Sequence, residues 1–499
     1  MSVAIGKYAS PGFSGRMRRG PWSVTVLLLL MGPLAGCLGA DGPGTASDGD
    51  AGDDEWMPGS ATVRPEFDFS QALDRSPGHD HGNPSQHAAS FELDQVGYSA
   101  VVEASDPEAV PGGHAELALA GAWAFVANWG PHRGFSILDV SDPAKPRHVS
   151  DFRPDQAGAG PAKAGGGSYW DVSVTADSNL TVLSAQALAM LPAPGSEEEH
   201  GGGVYLVNTE DKTRPYMESF TQVIDQDALI PVGVHNARPF ETLDGRLFVA
   251  ATTANGQTYL LEVVGQPGSR TLEQVSIVTG VHDTAVQVHP VTGDLLLYGA
   301  QGGVYITNVT DPANPEILGV VPNGQDGLQA YHQVVPNDVL IEGRHYTVAT
   351  TESAEGVPTP FTILDTTDPL APTVVGQWIL PIDVAAPEGQ PYRWSGHNLD
   401  VNAGRMYIGH YHAGVWIVDF SSAVNAAQPF PIAFHQPHEE GVYVPHTLLG
   451  RDIPAVWNVI LHEDGHIYAS DMNTGVYVLW YAGAPSPYEG APRWPTNVR

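Results

Sequence analysis

From Phe91 onward the apolar residues fall in short runs bounded by Gly, Pro, Asp and Asn, with no sustained helical spacing, so strands are the expected elements. The run from Gly303 to Gly319, Gly-Val-Tyr-Ile-Thr-Asn-Val-Thr-Asp-Pro-Ala-Asn-Pro-Glu-Ile-Leu-Gly, reads as a strand, an Asp-Pro turn and the start of a second strand. Copies lie at Gly134 to Phe152 and at Phe361 to Gly376. Such a repeat fixes architecture before any single residue is interpreted.

Each unit opens with a His or Trp, followed in most copies by Asp, Asn or Gln: His114-Ala115, Trp170-Asp171, His235-Asn236, His282-Asp283, His332-Gln333, His397-Asn398 and Trp457-Asn458. The opening leads into a strand and then a hairpin turn, as at Asp244-Gly245, Gly293-Asp294, Glu342-Gly343, Ala403-Gly404 and Asp464-Gly465, where glycine supplies the positive φ of a tight turn. Second strands are expected at Trp123 to Ala127, Leu247 to Ala250, Leu295 to Tyr298, Tyr346 to Ala349, Met406 to Gly409 and Ile467 to Ser470. A glycine introduces the third strand, and the Asp-Pro turn starts the fourth. Four strands in each of seven units predict an all-β, seven-bladed β-propeller with four-stranded antiparallel blades. The seventh unit stops after its third strand near Tyr481, so Phe91 to Val101 is expected to supply its fourth and close the ring.

The third strands and their turns resemble the LVIVD repeat family. The match is close at Phe135 to Pro146, Val304 to Pro315, Phe361 to Pro372 and Val415 to Ser421; in the second unit, Val204 to Pro215, Asp-Pro is lost, and the third unit, Gln257 to Val264, lacks the turn. The resemblance implies an exported propeller, often surface attached, and carries no agreed chemistry.

Ahead of the repeats, Arg16, Arg18 and Arg19 precede an apolar run from Val24 to Met31 and then Leu34-Ala35-Gly36-Cys37. A basic segment, a short apolar segment and small residues before a cleavage point mark an export signal. Leu-Ala-Gly-Cys resembles a lipoprotein lipobox, which makes Cys37, the single cysteine, the expected lipidation site. Residues 1–37 are then a signal peptide, 38–90 a solvated acidic tether, 91–482 the propeller and 483–499 a C-terminal tail. The Arg18-Arg19 pair leaves the Sec and twin-arginine routes both open. The expected location is extracytoplasmic, on the cell surface, with the membrane as a partner through the anchor and a protein or carbohydrate as ligand.

Charge narrows the partners further. The formal net charge is −34, with lysine at only four positions, which repels nucleic acid.

The first strand of each propeller blade lines the central channel, so the openings set His114, His235, His282, His332 and His397 around one axis, with Trp170 and Trp457 in the remaining places. Converging imidazoles suit a transition metal such as zinc, copper or iron, with Asp171, Asp283, Asn236 and Asn398 orienting the rings. The competing reading is structural, each pair bonding the backbone of the neighbouring blade. His79, His81 and His87 in the tether are further candidate ligands. The channel histidines support two functions: a binding module with a metal in its channel, or a metal-dependent, oxidoreductase-like enzyme. His410, His412, His435, His438 and His446 form a second group, read either as a rim site or as ordinary loop residues. His462-Glu-Asp-Gly-His466 fits a zinc-protease pattern that works only on a helix, whereas Asp464-Gly465 is a hairpin turn.

Overall fold

The computed structural model describes residues 90–102, 112–129, 133–154, 167–169, 171–187, 202–225, 231–253, 256–279, 282–300, 302–322, 331–353, 357–381, 395–437 and 455–491. Cys37, His79, His81, His87, Trp170, His438 and His446 lie outside them.

Each repeat folds as an antiparallel sheet, and seven sheets form the ring. The fourth blade is representative: Asp283–Val288, Leu295–Ala300, Gly303–Asn308 and Glu316–Pro322 pair in sequence order. In the second blade the innermost position is divided between Gly167–Ser168 and Val172–Val174, both paired with Leu180–Ala187. In the sixth, a short helix, Ala423–Ala427, capped by the Ser422 side chain, stands where other blades have Asp-Pro.

Stacking blade on blade buries both faces of the inner strands. Third strands are therefore apolar almost throughout, as in Val415–Asp419, which is wholly buried. Fourth strands lie outside and alternate, with Ile317 and Val320 exposed. Apolar clusters fill the spaces between neighbouring blades; one joins Tyr346, Phe361, Ile363 and Trp378 of the fifth to Met406, Ile408, Trp416 and Phe434 of the sixth.

One irregularity recurs in every blade. The pairing of third with fourth strand shifts register after Ile137, Leu206, Leu260, Ile306, Ile363 and Ile417. These are equivalent positions of the repeat, and each shift is a β-bulge with one extra residue in the fourth strand. The residue after the bulge is small: Ser150, Ser219, Ser276, Gly319, Gly376 and Ala433. Ser150, Ser276, Gly319 and Gly376 sit against the turn region of the next blade. Ser150 and Ser276 donate their hydroxyls to the carbonyls of Lys212 and Pro312. A Cβ on Gly319 would collide with the Pro369 carbonyl, and one on Gly376 with that of Ala426. The Asp-Pro turn thus has a receptor on the preceding blade.

The ring closes as expected. Leu93–Ser99 pairs with Gly475–Tyr481 as the fourth strand of the seventh blade, and Ser90–Phe91 extends the sixth by pairing with Phe430–His435. The N-terminal strand carries the same bulge, between Gln95 and Gly97, and a Cβ on Gly97 would meet the Pro143 carbonyl of the first blade. Gly475, at φ 138°, brings the third strand against Ser99 where a side chain would not fit. Side-chain bonds cross the other boundaries too: Asp171 accepts from the Ala237 amide, Gln287 donates to the Asn337 carbonyl, Gln333 accepts from the Leu399 amide, Asp400 from the Leu461 amide, and Ser470 donates to the Ala115 carbonyl.

Candidate metal centre in the channel

Four of the five expected histidines come together. The rings of His235, His282, His332 and His397, from the third to sixth blades, follow one another with centroids 4.4, 4.6 and 4.5 Å apart, and the Trp457 ring continues the arc 4.0 Å from His397. Ligand atoms of His235, His282 and His332 all lie within 4.8 Å of one another, as do those of His332, Glu352 and His397.

Hydrogen bonds fix two of the rings. The amide oxygen of Gln186 accepts from His235 Nδ1 at 3.0 Å, and the Trp457 carbonyl accepts from His397 Nδ1 at 2.8 Å. The proton is thereby on Nδ1, leaving Nε2 with a lone pair, as in a ligating imidazole. His282 Nδ1 and His332 Nδ1 are buried without a hydrogen bond. Both face the Asp283 carboxylate, at 3.5 and 4.0 Å, without closing to hydrogen-bond distance, which is uncommon for buried polar atoms.

The electrostatics keep most of these rings neutral. Burial pushes His235 down to about 4, helped by the neighbouring His282 ring. Burial also takes His332 down to about 3, with His397 and His282 adding to it, and it takes His397 to about 3 against its bond to Trp457. For His282 burial again disfavours charge, but Asp283, 3.5 Å from its Nδ1, outweighs it and raises the ring above its ordinary value. Burial works against the Asp283 carboxylate too, yet the His282 ring beside it, the one imidazole of the arc whose affinity for a proton is raised, holds it far below the usual range. Asp283 Oδ2 is 4.0 Å from His332 Nδ1, and Glu352 Oε2 is 3.6 Å from His332 Nε2.

A polar plug fills the channel beside the histidines. Arg238 donates to Glu116 at 2.8 Å and lies 3.2 Å from Asp171, all three nearly fully buried. Asn398 and Asn458 each donate to Glu116 at 2.7 Å, so the network crosses the channel between the first, third, sixth and seventh blades. Burial raises the affinity of Glu116 and Asp171 for protons despite Arg238, because two carboxylates share one guanidinium. A cavity of about 60 Å³ remains among Glu116, Arg238, Gln333, Asp400 and Asn458.

The remaining candidates go elsewhere. His114 belongs to neither ligand group: the Asn128 side chain holds its Nδ1 at 2.8 Å, and the Gly112 amide donates to its Nε2 at 3.1 Å. Of the residues expected to orient the rings, Asp283 stands against them, while Asp171 and Asn398 serve the plug. Asp171 and Gln333 also bond the next blade's backbone, the structural role weighed from sequence. His410 and His412 are fully buried, not rim residues, because the chain turns tightly back from Tyr411 to Gly414. His462 and His466 flank a hairpin turn, Gly465 at φ 91°, and both contact Asp464. Sequence reasoning missed Glu352 and Tyr411, whose hydroxyl donates to Glu352 Oε1 at 2.7 Å. Neither sits at a unit's opening. Glu352 follows a second strand whose end pairs with an opening, Thr351 opposite Tyr331, and that register is the signal that finds it.

No protein-family model and no curated protein matches the chain. Solved structures similar to it include the WD40 β-propeller domain of Doa1, at 8% identity over 78% of this chain and 96% of that one, TM-score 0.42. Another is the β-propeller domain of Myceliophteria thermophila Cps50 (Swd1), at 12% identity over 74% and 98%, TM-score 0.44. The LVIVD resemblance therefore rests on the third-strand and turn residues themselves.

Proposed function

We propose that this chain is an LVIVD-type propeller lipoprotein, anchored through Cys37 on the outer side of a membrane. In this reading it acts as a binding module for a protein or carbohydrate, with a transition-metal ion such as zinc, copper or iron on its channel histidines. The observation that carries the metal is the His235, His282 and His332 group, whose ligand atoms lie within 4.8 Å of one another with two ring nitrogens buried and unbonded. Neutral nitrogen donors of this kind suit borderline ions. Bound there, the ion would act as a Lewis acid or redox centre. The chain's own residues hold the rings in place: Gln186 and the Trp457 carbonyl set tautomers, Asp283 attracts positive charge, and the plug closes the space beside them.

A second reading, a metal-dependent oxidoreductase-like enzyme, is favoured by His282. Its side chain is 27% exposed whereas His332 is 5% exposed, so the ligand arc is open on one side, as catalytic metal sites are.

One preparation tests both anchor and metal. Protein made without a histidine tag and extracted from membranes is expected to carry a stoichiometric transition metal. A Cys37→Ser variant should leave the membrane fraction and keep the metal. A His282→Ala, His332→Ala, His397→Ala variant should lose the metal and keep its β-sheet spectrum. Wild-type protein that stays metal-free after metal supplementation would overturn the metal reading.

A further inference from the structure

We propose that Glu352 is the anionic ligand of the channel metal, that Tyr411 aims it, and that the site takes a divalent first-row ion. The inference rests on the metal reading above and adds a carboxylate to a set of imidazoles.

Geometry is the first support. Glu352, His332 and His397 offer two nitrogens and one oxygen within 4.8 Å of one another. Metal–ligand bonds of about 2.0–2.2 Å place neighbouring ligands less than about 4.4 Å apart, so little movement separates this arrangement from a coordinated one. His332 belongs to both ligand groups and is their shared corner.

Tyr411 supplies the second. Its hydroxyl binds Glu352 Oε1, which leaves Oε2 turned toward His332 Nε2 at 3.6 Å. Two further contacts hold Tyr411, its ring 5.0 Å from His397 and its backbone exchanging hydrogen bonds with Val456 of the seventh blade, and its φ is +30°. A buried aromatic residue keeps such a backbone angle only where its surroundings over-determine it. Outer hydrogen bonds of this kind orient a ligating carboxylate.

Charge is the third. Asp283 and Glu352 bring two carboxylates to the imidazole arc, while Arg238 is engaged by Glu116 and Asp171 in the plug. Buried negative charge is costly unless a cation sits beside it. A divalent ion among the imidazoles supplies that cation. Nitrogen and oxygen donors without a thiolate favour zinc, iron, cobalt or manganese in the divalent state over copper(I).

Cobalt(II) alone is the probe, because its visible d–d absorption reports the ligand set. Wild-type apoprotein is titrated with cobalt(II), and affinity is measured against a competing chelator. Glu352→Gln, which preserves shape, should weaken binding on the order of 100-fold and shift the absorption, and Tyr411→Phe should weaken it about tenfold. Glu352→Gln protein that binds cobalt(II) as wild type does, with the same spectrum, overturns the proposal and leaves an all-histidine site standing. An unchanged Tyr411→Phe protein overturns Tyr411's part. Wild-type protein that binds no cobalt(II) defeats the underlying metal reading instead, so the two failures are distinguishable.

Discussion

At the scale of single residues, the channel histidines are stored neutral, with consequences for stability in acid. His332 titrates near 3 when folded and near its ordinary 6.5 when unfolded. Below pH 6.5 the unfolded chain therefore binds a proton that the folded chain refuses, and stability falls as pH drops toward 4. His235 and His397 act in the same direction, while the raised His282 opposes them. Replacing His332 with Asn removes one of these protons. Urea melts from pH 4 to 6.5 should then show a slope of stability against pH shallower than wild type by at most about 1.4 kcal/mol per pH unit, and an unchanged slope would refute the assignment. The histidine arc itself was legible in the sequence because His235, His282, His332 and His397 occupy one repeat position. What set His114 apart was not, since it depends on Asn128, a residue at the end of the partnering strand.

Among the elements, the Asp-Pro turn is the most visible feature of the sequence, and its receptor is among the least visible. Asp and Pro announce a turn through backbone chemistry that is local to it. The small residue after the fourth-strand bulge gives no such sign, because its smallness is needed only for a surface contributed by the next unit. Read with that in mind, Val149-Ser150, Val275-Ser276, Leu318-Gly319, Val375-Gly376 and Val96-Gly97 become one motif. The test is Gly319→Val, which drives a side chain into the Pro369 carbonyl and the Pro372 ring. Such overpacking is expected to cost about 1–3 kcal/mol, read as a lower urea midpoint with the same m-value. A midpoint within experimental error of wild type would remove the small residue from the account of blade stacking. Glu352 escaped the sequence reading for a related reason, since which strand end meets which opening is a matter of register and not of composition.

For the whole molecule, closure depends on residues that come first in the chain pairing with residues that come last. The paired strand Gly475–Tyr481 would be a bare apolar edge without Leu93–Ser99, with Tyr477 and Leu479 buried beneath it. A chain beginning at residue 102 is therefore expected to melt at lower temperature and with less cooperativity than the intact protein. Amide exchange should quicken in Ile467–Asp471 and Gly475–Tyr481 before it does elsewhere. Equal melting and equal exchange would show that the N-terminal strand is dispensable.

The same arrangement also sets an order in time. Gly97 meets the turn at Pro143, Ser150 the turn at Lys212, Ser276 the turn at Pro312 and Gly319 the turn at Pro369, so each of these contacts is complete once one more unit has been made. The strand that carries Gly97 must wait for its own sheet until Gly475–Tyr481 emerges at the far end of the chain. A chain that folds from its N-terminus can thus stack blades one unit at a time while the ring stays open. Only the last unit converts the stack into a ring and brings the Trp457 carbonyl to His397. The channel site is finished by the final tenth of synthesis, so a truncated chain would carry most of the scaffold and an incomplete centre.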